Sequence, residues 1–169
     1  MADCAVKRCN LDPTSIRVLP NYIVEETWLP PWDGLADAKI PRIGFFGKFT
    51  SQKNLESLIQ ACAGLTVELV LIGDGPLQKT LEDLCNKLGV KTLFLGRLKQ
   101  YEVVKQLRSC SFFVLPSYYE GHPKALIEAM CFGIPVLATN CDGIRNEVVD
   151  GETGTLVSPS VDGLRQGLQ

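Results

Sequence analysis

From residue 41 onward, short and nearly continuous apolar runs alternate with segments whose apolar residues recur every three or four positions. "RIGFFG", "VELVLIG", "KTLFLG", "SFFVLP" and "IPVLAT" are of the first kind and read as strands, with "TGTLVSP" a last, shorter one. "NLESLIQACA" is of the second kind, with Leu55, Leu58, Ile59 and Cys62 at helical spacing. "PLQKTLEDLCNKLG", "YEVVKQLRSC" and "PKALIEAMCFG" also read as helices, with Pro76 and Pro123 in first turns and Gly89 and Gly133 at ends. "GIRNEVVDG" is a short helix or turn, and "VDGLRQ" opens a further helix that the chain cuts short.

Six strand-then-helix units follow one another in this pattern. Strands apolar throughout are covered on both faces, which is the mark of a parallel sheet with crossover helices. The predicted fold class is α/β, a Rossmann-like doubly wound parallel sheet of about six strands. Residues 1–40 read as an N-terminal segment and linker. Within them "IRVLPNYIVEETWLPP" is extended, apolar and broken by prolines, and "WDGLADAKIP" is a loop. Residues 41–169 form the domain. Trp28 and Trp32 are expected to pack its edge.

In such sheets ligands bind beyond the carboxyl ends of the strands. Five loops should line that edge: "FGKFTSQK", "GDGP", "GRLK", "SYYEGHP" and "TNCDG". In "GDGP", Gly73, Gly75 and Pro76 read as a tight turn and helix start. Tyr118 and Tyr119 are expected to brace their loop.

Composition narrows the class. Seventeen basic and 19 acidic residues give a formal charge of -2, with no basic excess for nucleic acid. No apolar run approaches the roughly 20 residues that span a bilayer, and the residues after Met1 do not read as a secretory leader. Peripheral contact with a membrane is compatible with all of this. The seven cysteines form no Cys-x-x-Cys, and the single His lies far from ligand spacing, which speaks against zinc. Cys62, Cys110 and Cys131 sit among apolar residues and read as reduced core thiols of a cytoplasmic protein.

The chemistry concentrates between residues 116 and 140, in "PSYYEGHPKALIEAMCFGIPVLATN". Glu120 precedes a helix that starts at Pro123, and Glu128 lies inside it. Amides around His122, Lys124 and Ala125 leave that helix N-terminus without intrahelical partners, and such an end attracts phosphate. Gly121 lets backbone approach a ligand. Lys48 and Lys53 on the "GKFTSQK" loop add two positive charges, so a nucleoside diphosphate fits. Glu120 can accept from sugar hydroxyls, and Glu128 can take both hydroxyls of a ribose. Eight residues along one helix separate carboxylates by about 12 Å. A glycosidase pair needs roughly 5 to 9.5 Å, so hydrolysis by this pair is disfavoured. The plain alternatives are an i, i+4 pair of Glu128 with Lys124 on an exposed face, and a solvated Glu120.

The run "EGHPKALIE" resembles the E-x7-E signature of retaining GT-B glycosyltransferases, glycosyltransferase family 4. "RVLPNYIVEETWLPP", "GFFGKFTSQKNLESLIQA", "LVLIGDGPLQKTLE" and "LFLGRL" resemble further stretches of that family in the same order, across residues 16–159. The resemblance implies a C-terminal donor domain of a GT-B fold, with the N-terminal acceptor domain absent and the closing helix truncated. It implies a nucleoside-diphosphate sugar as donor, an acceptor of unknown class, and no metal cofactor, in keeping with the lack of an Asp-x-Asp. Lys48 and Lys53 would then neutralise the diphosphate, Lys48 standing where the family usually has Arg. Backbone at Arg97 and Leu98 would meet the base, and Glu120 would hold the transferred sugar. Main chain from Gly121 through His122, Pro123, Lys124 and Ala125 to Leu126 would touch sugar and diphosphate. Glu128 would bind the ribose, and His122 is not expected to act as a base. A half-enzyme should bind nucleotide and catalyse little. A nucleotide-binding module without transfer, or a sugar-nucleotide epimerase, is the alternative. A dinucleotide oxidoreductase would need G-x-G-x-x-G after the first strand, which "GFFGKF" does not supply.

Overall fold

The structure, a computed structural model, describes residues 40–169. The extended segment at 16–31, Trp28, Trp32, Cys4 and Cys9 lie outside these residues. Six parallel strands form one sheet: β1 (Arg42–Phe46), β2 (Glu68–Ile72), β3 (Thr92–Gly96), β4 (Phe112–Leu115), β5 (Val136–Thr139) and β6 (Thr155–Val157). The helices are α1 (Leu55–Cys62), α2 (Gln78–Leu88), α3 (Gln100–Arg108), α4 (Lys124–Cys131) and α5 (Val161–Gly167). A 3₁₀ turn at Ser51–Lys53 leads into α1.

The strand order is β3-β2-β1-β4-β5-β6. The chain winds outward from β1 to β3, then returns to place β4 on the other side of β1 (Ile43 opposite Phe112, Gly44 opposite Phe113). The carboxyl ends of β1 and β4 are therefore the switch point, the crevice where open α/β sheets bind ligands. Central strand residues are buried, as continuous apolar runs require: Ile43, Phe45, Leu69, Val70, Leu71, Ile72, Phe113 and Val114 are all fully buried. Gly44 is small because α3 lies close. A Cβ there would meet Leu107 Cδ2 at 2.8 Å and Cys110 Sγ at 3.0 Å.

Some expectations move. Pro76 lies in the turn before α2 rather than inside its first turn, because the Leu77 amide is held by the Phe49 carbonyl at 3.3 Å. Gly89 does end α2, in a left-handed conformation with its amide on Asn86 and Cys85 carbonyls. Of the two readings of the segment after β5, a short helix or a turn, residues 142–147 take the turn. Cys62 and Cys110 are core thiols, but Cys131 is exposed. It sits five residues past Leu126, about 140° around the helix from that buried position.

Candidate functional site

The loop after β1 is pinned before it can present its lysines. Gly47 donates to the Ile72 carbonyl at 3.0 Å and Phe49 to that of Asp74 at 2.7 Å, binding the loop to the end of β2. The Phe49 ring is fully buried, against Phe45 and edge-on to Phe94, with centroids 6.3 and 6.2 Å away. Gly73 and Gly75 permit this approach, since a Cβ on either would lie 1.9 Å from the Gly47 oxygen or 2.4 Å from that of Phe49. Lys48 and Lys53 flank the anchor, one on each side.

The loop after β4 is tied to the first. Gln52 accepts from the Tyr118 amide at 2.9 Å, and its side-chain amide donates to the Tyr119 carbonyl at 2.8 Å. The tyrosines thus brace the loop through their main chain, while both side chains are exposed. Asn54 adds a buried link, its Nδ2 donating to the Pro116 carbonyl at 3.1 Å and the Pro159 carbonyl at 2.9 Å. From the β5 side, the Thr139 hydroxyl donates to the Ser117 carbonyl, and the Glu120 amide donates to Asp142 at 3.1 Å.

These ties bring both glutamates to one cavity of about 400 Å³ at the switch point, lined from the β1 loop by Lys48 and Lys53. From the β4 side come Glu120, His122, Pro123, Lys124, Ala125 and Glu128. Glu120 Oε1 receives Lys53 Nζ at 2.5 Å and the hydroxyl of fully buried Ser117 at 2.6 Å. Glu128 Oε1 lies 3.6 Å from Lys124 Nζ. That i, i+4 pair exists, but not on an exposed face: the Glu128 side chain is only 7% exposed. Nor is Glu120 a solvated loop acid, at 8%. A buried carboxylate is retained only where partners meet its charge. The Lys48 ammonium has no hydrogen-bond or ion-pair partner among the described residues, while its main-chain carbonyl accepts from the Thr50 amide at 3.0 Å.

Helix α4 begins beyond Pro123, and the Leu126 and Ile127 amides already donate to the Pro123 carbonyl at 3.0 and 3.1 Å. Leu126 is fully buried, so the helix end offers the amides of Lys124 and Ala125, which have no backbone acceptor among the described residues. Gly121 lies in the loop just ahead, and His122 Nε2 is 3.3 Å from Glu147 Oε1. Arg97 and Leu98 do not line the cavity. Arg97 projects into solvent and pairs with Asp74 at 2.6 Å, over the ends of β2 and β3. Beneath the site, burial pushes the Cys141 thiol above its ordinary value, and the Glu120 charge pushes the same way.

Sequence reasoning missed four contributors. Ser117 donates to Glu120 only three residues on, through a loop conformation that nothing in the sequence marks, and the Thr139 hydroxyl reaches the Ser117 carbonyl only when β4 and β5 align. Asn54 stands at a helix start, where Asn ordinarily caps, yet it makes no cap and reaches sideways to two carbonyls. Gln100 lines the cavity from the first residue of α3, and nothing in its local pattern marks it. Among the described residues, no three His, Cys, Asp or Glu side chains cluster as metal ligands.

Comparison with known proteins bears on this arrangement. The chain is 38% identical over 113 residues to an uncharacterized glycosyltransferase of Methanocaldococcus jannaschii, covering 66% of this chain and 32% of that protein. It is 29% identical over 126 residues to a GDP-mannose-dependent alpha-mannosyltransferase of Corynebacterium glutamicum, covering 75% of this chain and 29% of that protein. The chain thus spans about a third of the length of these relatives. Among solved structures, Anabaena HepE in complex with UDP and glucose superposes with a TM-score of 0.69 at 25% identity, over 75% of this chain and 37% of that one. The model of the family described as glycosyl transferases group 1 matches residues 31–169, and the chain belongs to that family.

Proposed function

We propose that residues 41–169 are the donor-binding domain of a retaining glycosyltransferase that uses a nucleoside-diphosphate sugar, with UDP or GDP as the nucleotide. One observation carries the reading: two lysines from the β1 loop, and two buried carboxylates from the β4 loop and α4 more than 60 residues on, meet on one cavity at the switch point beside a helix N-terminus. Lys48, Lys53 and the Lys124 and Ala125 amides meet the diphosphate. Glu128 takes the ribose hydroxyls and Glu120 the transferred sugar. Main chain at Arg97 and Leu98 lies on the β3 side of the same edge, where the base extends past the cavity.

In this reading the bond between the anomeric carbon and the diphosphate oxygen breaks, and the electron pair leaves on the diphosphate. The lysines and amides stabilise that charge without a metal ion. An acceptor hydroxyl then bonds to the same face of the sugar, and its proton passes to the departing diphosphate. The acceptor is held by a second domain outside this chain, which supplies the orientation that transfer demands. The complexes of similar proteins support a nucleotide donor, since HepE holds UDP and glucose and the Corynebacterium enzyme is named for GDP-mannose.

Calorimetric titration of the chain with UDP, GDP and ADP tests the proposal. One diphosphate should bind, and Glu128→Ala should weaken it by about 1–3 kcal/mol, the worth of a hydrogen bond to a charged group. A folded chain that binds none of the three, and still none when joined to an acceptor domain, would overturn it.

A further inference from the structure

Two of the cavity's lysines are already committed to its two carboxylates. Lys53 lies 2.5 Å from Glu120 and Lys124 lies 3.6 Å from Glu128. Ser117 shares the Glu120 oxygen and fixes that carboxylate in the wall. An arriving anion therefore competes with a built-in carboxylate for each of these ammonium groups. If it wins the lysine, it leaves a mostly buried negative charge beside its own phosphates. That repulsion is weakly screened, because both carboxylates are shielded from solvent.

A ligand with hydroxyls beside its phosphates escapes this conflict. Its phosphate oxygens take the ammonium groups, its hydroxyls donate to the released carboxylates, and every partner is satisfied again. A polyphosphate without hydroxyls can make only half of the exchange. We propose that the Lys53–Glu120 and Lys124–Glu128 pairs hold bare polyphosphate off the cavity, so that an anion gains entry only with hydroxyls beside it. This rests on the donor-site reading above and adds the source of its selectivity.

The probe is inorganic pyrophosphate, compared with UDP and GDP at one ionic strength. The wild-type chain should bind pyrophosphate more weakly than its preferred nucleotide. Glu120→Gln, which keeps shape and removes charge, should tighten pyrophosphate by about three- to tenfold, the range of a partly shielded charge pair. In a Lys53→Met background the same change should give less than half that gain, because no ammonium is released. Glu128→Gln should move the ligands in opposite directions, tightening pyrophosphate and weakening UDP or GDP. Asp83→Asn is the control for net charge. Asp83 pairs with Lys79 on an exposed face of α2, and its loss should leave pyrophosphate within about twofold.

Unfolding midpoints establish that each variant is folded. Nucleotide binding with pyrophosphate unmoved or weakened by both Gln variants would overturn the inference and leave the donor reading standing. Pyrophosphate tightening on both variants, with UDP and GDP bound by none, would uphold the pairs and overturn the donor reading.

Discussion

The side-chain amide of Asn54 donates to the main-chain carbonyl of Pro116, 62 residues away, at 3.1 Å. The same nitrogen reaches the Pro159 carbonyl at 2.9 Å, so one buried residue clamps the loops after β1 and β4 and the approach to α5. Asn54 is also the only non-glycine with positive φ among the described residues, at 52°. Asparagine tolerates that conformation better than most residues.

Removing the amide strands two carbonyls, and an unmet buried polar group costs about 1–3 kcal/mol. Asn54→Ala should lower the unfolding free energy by that amount in a denaturant titration. Asn54→Gly should lower it by less, because glycine relieves the left-handed backbone while losing the same two bonds. Equal losses would show that the conformation contributes nothing.

At the opposite edge of the sheet, Glu68 accepts from Arg42 at 2.8 Å and pairs with Lys91 at 2.9 Å. Lys91 foremost, and then Arg42, hold its carboxyl below the ordinary carboxylate range against the upward pull of partial burial. A carboxyl lowered in the folded state stabilises the protein above its unfolded pKa, and that stability is lost as pH falls through the folded value. Lys91 is well exposed, so screening holds the gain to about 0.5–1 kcal/mol. Glu68→Gln should therefore lower stability by that much at pH 7 and by progressively less below about pH 4. Unfolding titrations at pH 7, 5 and 3 measure the difference, and a constant deficit across them would contradict the assignment.

Thiol chemistry should separate the cysteines. Burial pushes Cys62 up to about 12 and Cys110 up to about 11, so neither forms thiolate at neutral pH, and both are enclosed in the core. Cys131 is exposed. A short pulse of N-ethylmaleimide at pH 7.5, mapped by peptide mass spectrometry, should modify Cys131 and leave Cys62 and Cys110 protected until denaturant is added. Labelling of Cys62 at the rate of Cys131 in the folded chain would rule this packing out.

Much of the fold was legible because its signals are local. Strands buried on both faces must be apolar where they are covered, and β1 and β2 beyond their charged first residues, like β4, are. Glycines and prolines marked most helix ends, because the left-handed conformation at Gly89 and the missing amide of Pro123 are properties of single residues. Pro76 escaped that logic, since the Phe49 carbonyl holds the next amide and delays α2. Cys131 was misread because an apolar neighbourhood in sequence becomes two faces on a helix. In the site, Glu120 and the two loop lysines stood out as charges at strand ends, and Glu128 as an acid inside an apolar helix. Ser117, Thr139, Asn54 and Gln100 did not. Asn54 and Thr139 act where segments distant in sequence come within hydrogen-bond reach, Gln100 where the start of α3 meets the cavity, and Ser117 through a loop contact with Glu120 that no local pattern marks.

Gly143 offers a test of how the Glu120 loop is held. Its φ is +88°, and a Cβ there would lie 2.3 Å from the Glu120 carbonyl oxygen and 2.8 Å from that of Gly121. Those atoms are main chain and cannot swing aside as a side-chain tip would. Gly143→Ala must then move the loop that carries Glu120, and with it the Glu120 amide bond to Asp142. Gly151 provides the matched control: its φ is +77°, but a Cβ would meet nothing within 4 Å. Gly151→Ala should cost only the conformational strain of a left-handed alanine, about 1 kcal/mol. Gly143→Ala should cost about 2–4 kcal/mol, adding displacement of the loop to that strain. It should also weaken the preferred nucleoside diphosphate, while Gly151→Ala leaves affinity unchanged. Unfolding and titration of the two variants side by side separate backbone strain from the contact. If both lose the same stability and neither loses affinity, the Glu120 loop is not set by its packing against Gly143.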